Sequence, residues 1–538
     1  MRKTNKILVF AFVALFALLS LSAQPVSDYP YFGKTVILHS NDVHGNIAGY
    51  AYIAQLKDDF ESQGATVIMV DAGDYSQGTT YVSTTKGADA ITMMNAAGYD
   101  YATLGNHEFD YGYPQLKENL SKAEFTVLCA DVFEDGETIY PASEIYVSGG
   151  VNIGFFGLET PEAQTKANPA LIKGLVFPAG EELYDVTQDT VDDLKAAGAD
   201  LVIGLVHLGV DDESITNRSI DVYANTTGID FLIDAHSHTV MTEGPDGEPI
   251  QSTGTQFEYI GVVVIDNETK TIEDNYLQPV KDAEGNALVG LKASVSGAAQ
   301  EIIDRVNGEY NIVFAESLVN LNGDRDPGNR TEETNLGSLI ADAQLWGVLR
   351  YEGSIEVDAD HAIGLSNGGT IRAAIPAGPV TKKDINTVLP FGNNLAVVYV
   401  TGAELLEAFE ASTYSTPKAI GGFPQVSGIE FTVDTTIPYD ANDEPYPAST
   451  YYGPKTIQRV TINNVNGKPF NLEDVYAVVT NDFLAAGGDT YYAFVNASSQ
   501  FDTGIPDAET VMEYITEVLG GVIGEEYAEP FGRIHIIK

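Results

Sequence analysis

Of the 8 histidines in this 538-residue chain, His44, His107, His207, His236 and His238 stand in short clusters with acids or amides. The clusters are Asp42-Val-His44, Gly73-Asp74, the run 105–110 (GNHEFD), His207 at the end of an apolar run, and His236-Ser-His238. Mixed imidazole, carboxylate and amide donors suit borderline or hard divalent cations such as Zn, Mn, Co or Mg. Two such ions can share one carboxylate and polarise a water between them. They then stabilise both the entering and the leaving oxygen of an in-line phosphoryl displacement. Each cluster alone is a weak signal, because a lone Asp-x-His also describes a capped loop beside a core histidine. The ordered set is what points to a metal centre.

Each cluster follows a short apolar run or closes one. The runs are 35–38, 66–70, 151–157, 201–206, 231–233 and 261–265. They lack the polar alternation of a half-exposed strand, so they predict strands covered on both faces. Between the first two, Ile53, Leu56 and Phe60 keep helical spacing. The pattern is layered α/β, and strand ends are where such folds gather their chemistry. A helical stretch follows near 291–310, with Ile302, Ile303 and Val306, and then a polar, Gly-rich segment at 322–330. Beyond it lies a second α/β part with strands at 396–400, 429–433 and 476–480 and helices at 336–349 and 403–411. The expected organisation is a signal peptide at 1–23, a first domain at 30–300, a linker at 301–325 and a second domain at 326–538. A chain of 538 residues is in any case too long for one ordinary core.

The first residues carry Arg2, Lys3 and Lys6, an apolar run at 7–19, and small residues at Ser20, Ser22 and Ala23. That is the pattern of a secretory signal peptide, and the run is shorter than the roughly 20 residues of a membrane span. No cysteine lies near the cleavage site and no apolar tail closes the sequence, so no stable membrane anchor is expected and the protein is read as exported, periplasmic or secreted. The single cysteine, Cys129, sits in an apolar run and reads as a small buried hydrophobe. A net charge of -49 argues against a nucleic-acid polymer as partner, since such binding needs cations to replace phosphate counterions. The bland reading of this acidity is a solvated, aggregation-resistant surface. It also means that any phosphate site must be made locally positive.

The runs 38–45 (LHSNDVHG), 71–79 (DAGDYSQGT), 104–110 (LGNHEFD) and 235–239 (AHSHT) resemble the successive motifs of calcineurin-like metallophosphoesterases, and within them the 5′-nucleotidase branch. In the second half, 367–372 (NGGTIR), 389–393 (LPFGN), 424–428 (PQVSG) and 481–489 (NDFLAAGGD) are similar to that family's nucleotide-binding domain. The resemblance implies a metallophosphoesterase sandwich followed by a second α/β, substrate-binding domain, and a nucleotide as substrate. It assigns one ion to Asp42, His44, Asp74 and His238 and a second to Asp74, Asn106, His207 and His236, with Asp74 bridging. His107 matches the transition-state histidine and Asp110 its orienting acid. Arg330, Asn367 and Arg372 match phosphate-side contacts, Phe391 and Phe483 the rings that sandwich a base, and Asp489 the ribose acceptor; Gly428 falls in a matching substrate-binding motif. Read without the resemblance, both phenylalanines are core residues. The chain departs from the family at Thr370 and Thr490, where glycine is common, and at His238, where some members carry glutamine. His39 and Asn41 read as packing or capping residues, and His361 and His535 belong to no motif.

The expected activity is metal-dependent release of phosphate from nucleoside 5′-phosphates. Alternatives on the same site are a UDP-sugar pyrophosphatase and a 2′,3′-cyclic-nucleotide phosphodiesterase. A surface nucleotide-binding protein without turnover is the non-enzyme alternative, and an intact His107–Asp110 pair counts against it. A sulfur-compound hydrolase on the same scaffold is disfavoured by the nucleotide-type residues.

Overall fold

A computed structural model describes residues 29–538 except 169–170, 212–213 and 448. The expected signal peptide therefore lies outside the described residues. Among those described, no helix is long and apolar enough to cross a membrane.

The first domain is built on two six-stranded sheets. In one, Lys34–Ser40 pairs in parallel with Thr66–Asp71 and antiparallel with Tyr259–Asp266. In the other, Leu201–His207 lies between Val151–Glu159 and Phe231–Ile233, parallel to both. The two-residue side-chain period of a strand explains the layers. Ile37, Ile68 and Val70 of the first sheet meet Phe155, Ile203 and Leu205 of the second in a core between the sheets. Their neighbours Val36, Leu38, Val67 and Met69 face outward onto a helical layer carrying Ile53, Phe60, Met93 and Met94. On the far side, Phe156, Val202 and Val206 pack against Leu183, Val191 and Leu194 of the helix Glu181–Ala196. Helix, sheet, sheet and helix thus form a four-layer sandwich, which is why the central strands carry no polar alternation.

The segment 301–325, expected as a linker, is regular over much of its length. Residues up to 310 complete the helix Ala293–Tyr310. Its stripe of Val295, Ala299, Ile302 and Val306 is sunk in the helical layer of the first domain. At 313 the chain is already in the strand Val313–Ser317, paired with Gly378–Thr381 and Val522–Ile523 of the second domain. Helical spacing of apolar residues past 300 carried the first domain ten residues beyond its expected end.

The second domain centres on a five-stranded sheet containing Ala362–Asn367, Val475–Asn481 and Asn394–Thr401. One face packs Val398 and Val400 onto Leu405 and Phe409 of the helix Gly402–Ser412. The other packs Val397 and Tyr399 onto Val348 of the helix Asn335–Leu349. Both helices start at a threonine whose hydroxyl accepts a backbone N–H, Thr401 from Glu404 and Thr334 from Gly337, satisfying a donor that the first turn leaves open. The two domains touch through Thr80 and Thr387 (2.8 Å), Tyr111 and Pro390 (3.1 Å), and Thr165 and Asp489 (2.7 Å).

Candidate active site and metal centre

The acid and histidine clusters converge at the C-terminal ends of the first-domain strands. Asp42 and His44 follow Lys34–Ser40, Asp74 follows Thr66–Asp71, and Asn106 and His107 follow Tyr101–Ala102. His207 is the last residue of its strand, and His236 and His238 follow Phe231–Ile233. Tight loops turn these side chains inward at a conformational cost. Asp42, His44, Asp74, His236 and His238 have φ of 47, 45, 62, 73 and 52°, a left-handed region that costs a non-glycine residue about 1–3 kcal/mol. Such strain persists only where surrounding bonds impose it.

One of those bonding centres is Glu108, 2% exposed. Its Oε2 accepts the backbone N–H groups of Asp74 (2.8 Å) and Gly105 (2.7 Å), and its Oε1 those of Tyr75 (3.0 Å) and Ser76 (2.9 Å). Burial, with the nearby Asp74 carboxylate, pushes its pKa up to about 7, against four N–H donors that favour the anion. One side chain therefore ties the Asp74 loop to the Asn106–His107 turn. The backbone N–H of His107 adds a bond to Asp74 Oδ1 (3.0 Å).

The donor atoms gather in overlapping groups. Asp42, His44 and His238 form one, Asp42, Asp74 and His207 another, and His44, Asp74 and His107 a third, with the atoms of each group within 4.8 Å of one another. His44 Nε2 and His238 Nε2 are 3.0 Å apart. Asp74 Oδ2 is 3.7 Å from His44 Nε2 and 3.3 Å from His207 Nε2, between the two halves of the cluster.

Whether these residues fit divalent ions is decided by their lone pairs. His207 Nδ1 lies 2.8 Å from the Ala72 carbonyl, which only accepts, so Nδ1 carries a proton. Nε2 faces Asp74; burial opposes a second proton, yet the Asp74 carboxylate raises the His207 pKa well above the ordinary imidazole value. A divalent ion bound there would displace the Nε2 proton. Among the described residues, His207 Nε2 and Asn106 Oδ1 are buried with no hydrogen-bond partner, an arrangement that is costly for polar atoms unless something pairs with them. Burial drives the His44 pKa down to about 3 and takes His238 lower still, so both present neutral nitrogens, the form that binds metal. Burial raises the Asp74 pKa, but His207 and His107 outweigh it and hold the group well below the usual carboxylate range. The donor set fits divalent cations.

His107 stands beside this cluster. Its Nδ1 is 2.7 Å from Asp110 Oδ2 and its Nε2 is 4.0 Å from Asp74 Oδ2. Burial opposes its proton, yet Asp110 and Asp74 raise its pKa above the ordinary imidazole value. It is a charged or proton-donating group held at the edge of the metal centre.

A single cleft joins the cluster to the second domain. Asp74, Asn106, His107, Asp110, His236 and His238 line it from one side, and Arg330, Asn367, Arg372, Phe391, Phe483 and Asp489 from the other. The Phe391 and His107 ring centroids are 5.8 Å apart, and the Arg372 guanidinium lies 5.8 Å from the Phe391 centroid. The Phe483 ring lies against Gly488, where a Cβ would come within 2.3 Å of it. Asn367 donates to Asp489 (2.8 Å) and accepts from Thr370 (2.5 Å), so the threonine that departs from the family pattern holds Asn367. Gly428 is placed elsewhere. It turns the chain between Pro424–Ser427 and Ile429–Asp434 with φ of 75°, facing Asn466 and the Ala362 carbonyl. The glycine near the cleft acid is Gly421, where a Cβ would be 3.1 Å from Asp489 Oδ1. Residues that sequence reasoning passed over also line the cleft: Glu162, Lys166, Asn168, Asp211, Ser214 and Arg325, while Asn393 closes the 389–393 motif. None of the six stands in a motif, and Arg325 lies in the polar 322–330 segment.

Comparison with known proteins agrees with this geometry. The calcineurin-like phosphoesterase family matches residues 35–240, and the 5′-nucleotidase C-terminal domain family matches 313–496. A trifunctional nucleotide phosphoesterase of Bacillus subtilis is 29% identical over 90% of this chain, which spans 34% of that protein's length. Human 5′-nucleotidase is 26% identical over 90% of this chain and 88% of its own. The structure of a 5′-nucleotidase precursor from Thermus thermophilus superposes with a TM-score of 0.73 at 27% identity, covering 94% of this chain and 99% of that one. A metallophosphoesterase domain implies a divalent metal cofactor, for which the strand-end cluster is the candidate. With both halves matched in order and one cleft between them, the chain belongs to the 5′-nucleotidase family and is a phosphoric ester hydrolase.

Proposed function

We propose that the protein is an exported enzyme that removes phosphate from nucleoside 5′-phosphates with two divalent ions. One observation carries the reading: the imidazole–carboxylate cluster, two placed arginines and two half-buried phenylalanine rings line the same cleft. Asp42, His44 and His238 would hold one ion, Asn106, His207 and His236 the other, and Asp74 both. Bound there, the ions would supply Lewis acidity at the phosphoryl group and a nucleophile at neutral pH.

The protein's own groups do the rest. Arg330 and Arg372 neutralise the phosphate as bidentate forks, against the acidic field of the whole chain. His107, kept protonated by Asp110, stabilises charge on the phosphoryl oxygens or gives its proton to the leaving oxygen. Phe391 and Phe483 take the base between them, and Asp489, fixed through Asn367, accepts from the ribose. Arg325 adds a third arginine to the cleft, which Lys166 also lines, a charge that also suits a diphosphate substrate. Export rests on the Arg2–Lys6 region and the apolar run after it. The test is product analysis with and without chelator: phosphate from AMP, UMP and glucose 1-phosphate from UDP-glucose, and the ring-opened monophosphate from 2′,3′-cyclic AMP. Chelator-sensitive product release from AMP above the other two is expected. Preference for UDP-glucose or the cyclic nucleotide would replace the nucleotidase reading, and release that survives the chelator would end the metal reading.

A further inference from the structure

The short stretch around the helix Ala163–Lys166 carries no sequence motif, yet it reaches into the metal centre from one side and the second domain from the other. Glu162, at its start, is 1% exposed, and its Oε2 lies 3.1 Å from His236 Nε2. A carboxylate can only accept, so Nε2 carries the proton and Nδ1 is left with the lone pair. His207 is the reverse, with Nδ1 committed to the Ala72 carbonyl and Nε2 left open. The two rings are 5.2 Å apart and inclined at 64°, presenting unlike nitrogens. The backbone of His236 is pinned as well, its N–H donated to the Asp42 carboxylate at 3.1 and 3.2 Å.

Glu162 is itself held. Its N–H is donated to Thr160 Oγ1 (3.2 Å), and its carbonyl accepts from Thr165 (2.9 Å) and Lys166 (2.7 Å). The turn so formed meets the second domain where the ligand residues lie. The Thr165 carbonyl accepts the Asp489 N–H at 2.7 Å, and the Asn168 amide donates to Asp482 at 3.3 Å.

We propose that Glu162 is a positioning residue that fixes His236 with Nδ1 as its metal-binding nitrogen, from a turn docked on the second domain. The proposal rests on the metal centre proposed above, but its test needs no substrate, so the two can fail separately. Metal-stripped full-length protein, wild type, Glu162→Met and Glu162→Gln, is titrated calorimetrically with Zn(II) or Mn(II), and folding is followed by circular dichroism and Tm. Methionine fills the volume and accepts no hydrogen bond, whereas glutamine keeps an oxygen for the Nε2–H. Removing the partner of a ligating histidine typically costs 10–100-fold in metal affinity. The expected result is a loss of that size for one of two ions in Glu162→Met, the other ion unchanged, and Glu162→Gln within about threefold of wild type. Both ions binding Glu162→Met as they bind wild type would overturn the proposal. So would Glu162→Gln losing as much as Glu162→Met; if the methionine variant does not fold, Glu162→Ala is titrated in its place, with the same expected and contrary results. A wild type that binds no ion would instead overturn the metal centre itself.

Discussion

Replacing Glu108 by glutamine is the sharpest test of how the metal loops are held, because shape is kept and only acceptors are removed. The carboxylate takes four backbone N–H groups, those of Asp74 and Gly105 on Oε2 and of Tyr75 and Ser76 on Oε1, at 2.7 to 3.0 Å. An amide keeps one oxygen and turns its NH2 toward the other pair. Two buried N–H groups then lose their partner, at about 1–3 kcal/mol each, or about 2–6 kcal/mol together. For a domain of this size each kcal/mol moves Tm by about 2–4 °C, so the first-domain transition should fall by about 10 °C. Metal content should fall with it, since Asp74 loses the bond that aims its loop. The assays are thermal unfolding of the metal-free and metal-loaded variant and elemental analysis of the purified protein. A metal-free Tm within about 2 °C of wild type, with full metal occupancy, would refute the view that Glu108 clamps the two loops.

His107→Ala should keep its metal content while kcat falls by about 100-fold or more; a change confined to KM would make the residue a binding contact only. Asp74→Asn should lower the content of both ions and nearly abolish turnover, and unchanged metal content would remove Asp74 from the bridging position. Burial holds the His39 pKa down at about 4, from an ordinary value near 6.5, against the hydrogen bond that its Nε2–H donates to Gln251 Oε1. The unfolded chain therefore binds a proton that the folded chain refuses. Stability is full above about pH 6.5 and declines toward pH 4, by about 3 kcal/mol from this group. His39→Gln should flatten that part of the urea-denaturation profile, and an unchanged slope would show that His39 is not its source.

The parts of this molecule that were legible in the sequence are those written in neighbouring residues. Strands covered on both faces leave apolar runs, and the loops after them carry Asp42, His44, Asp74, Asn106 and His107 within a few positions of a strand end. What was not legible is set by contacts between distant positions. Glu162 meets His236 across 74 residues, and nothing in Thr-Pro-Glu announces a partner. Gly428 sits in a motif beside the cleft, but its positive φ serves a turn, while Gly421 approaches Asp489 without a conspicuous pattern around it. The segment expected as a linker shows a simpler case: Gly and polar residues at 322–330 suggested a boundary, whereas the stripe ending at Val306 packs in the helical layer of the first domain. Arg325 was hidden by the same segment, because a polar loop at a presumed boundary draws no attention as a wall of the cleft.

That one substrate engages both domains at once is tested most directly by a ratio of rates. Ribose 5-phosphate offers the same phosphate and sugar as AMP but no base. If Phe391 and Phe483 stack on the base, Phe483→Ala removes about 1–3 kcal/mol from AMP alone. kcat/KM for AMP relative to ribose 5-phosphate should then fall by about 5- to 150-fold, with Tm preserved because the ring is only half-buried. If Phe483 is a core residue, both substrates should suffer alike and about 3–5 kcal/mol of stability should be lost. An unchanged ratio would contradict the account: the base would not lie between these rings, and the second domain would not be reading a nucleotide through them.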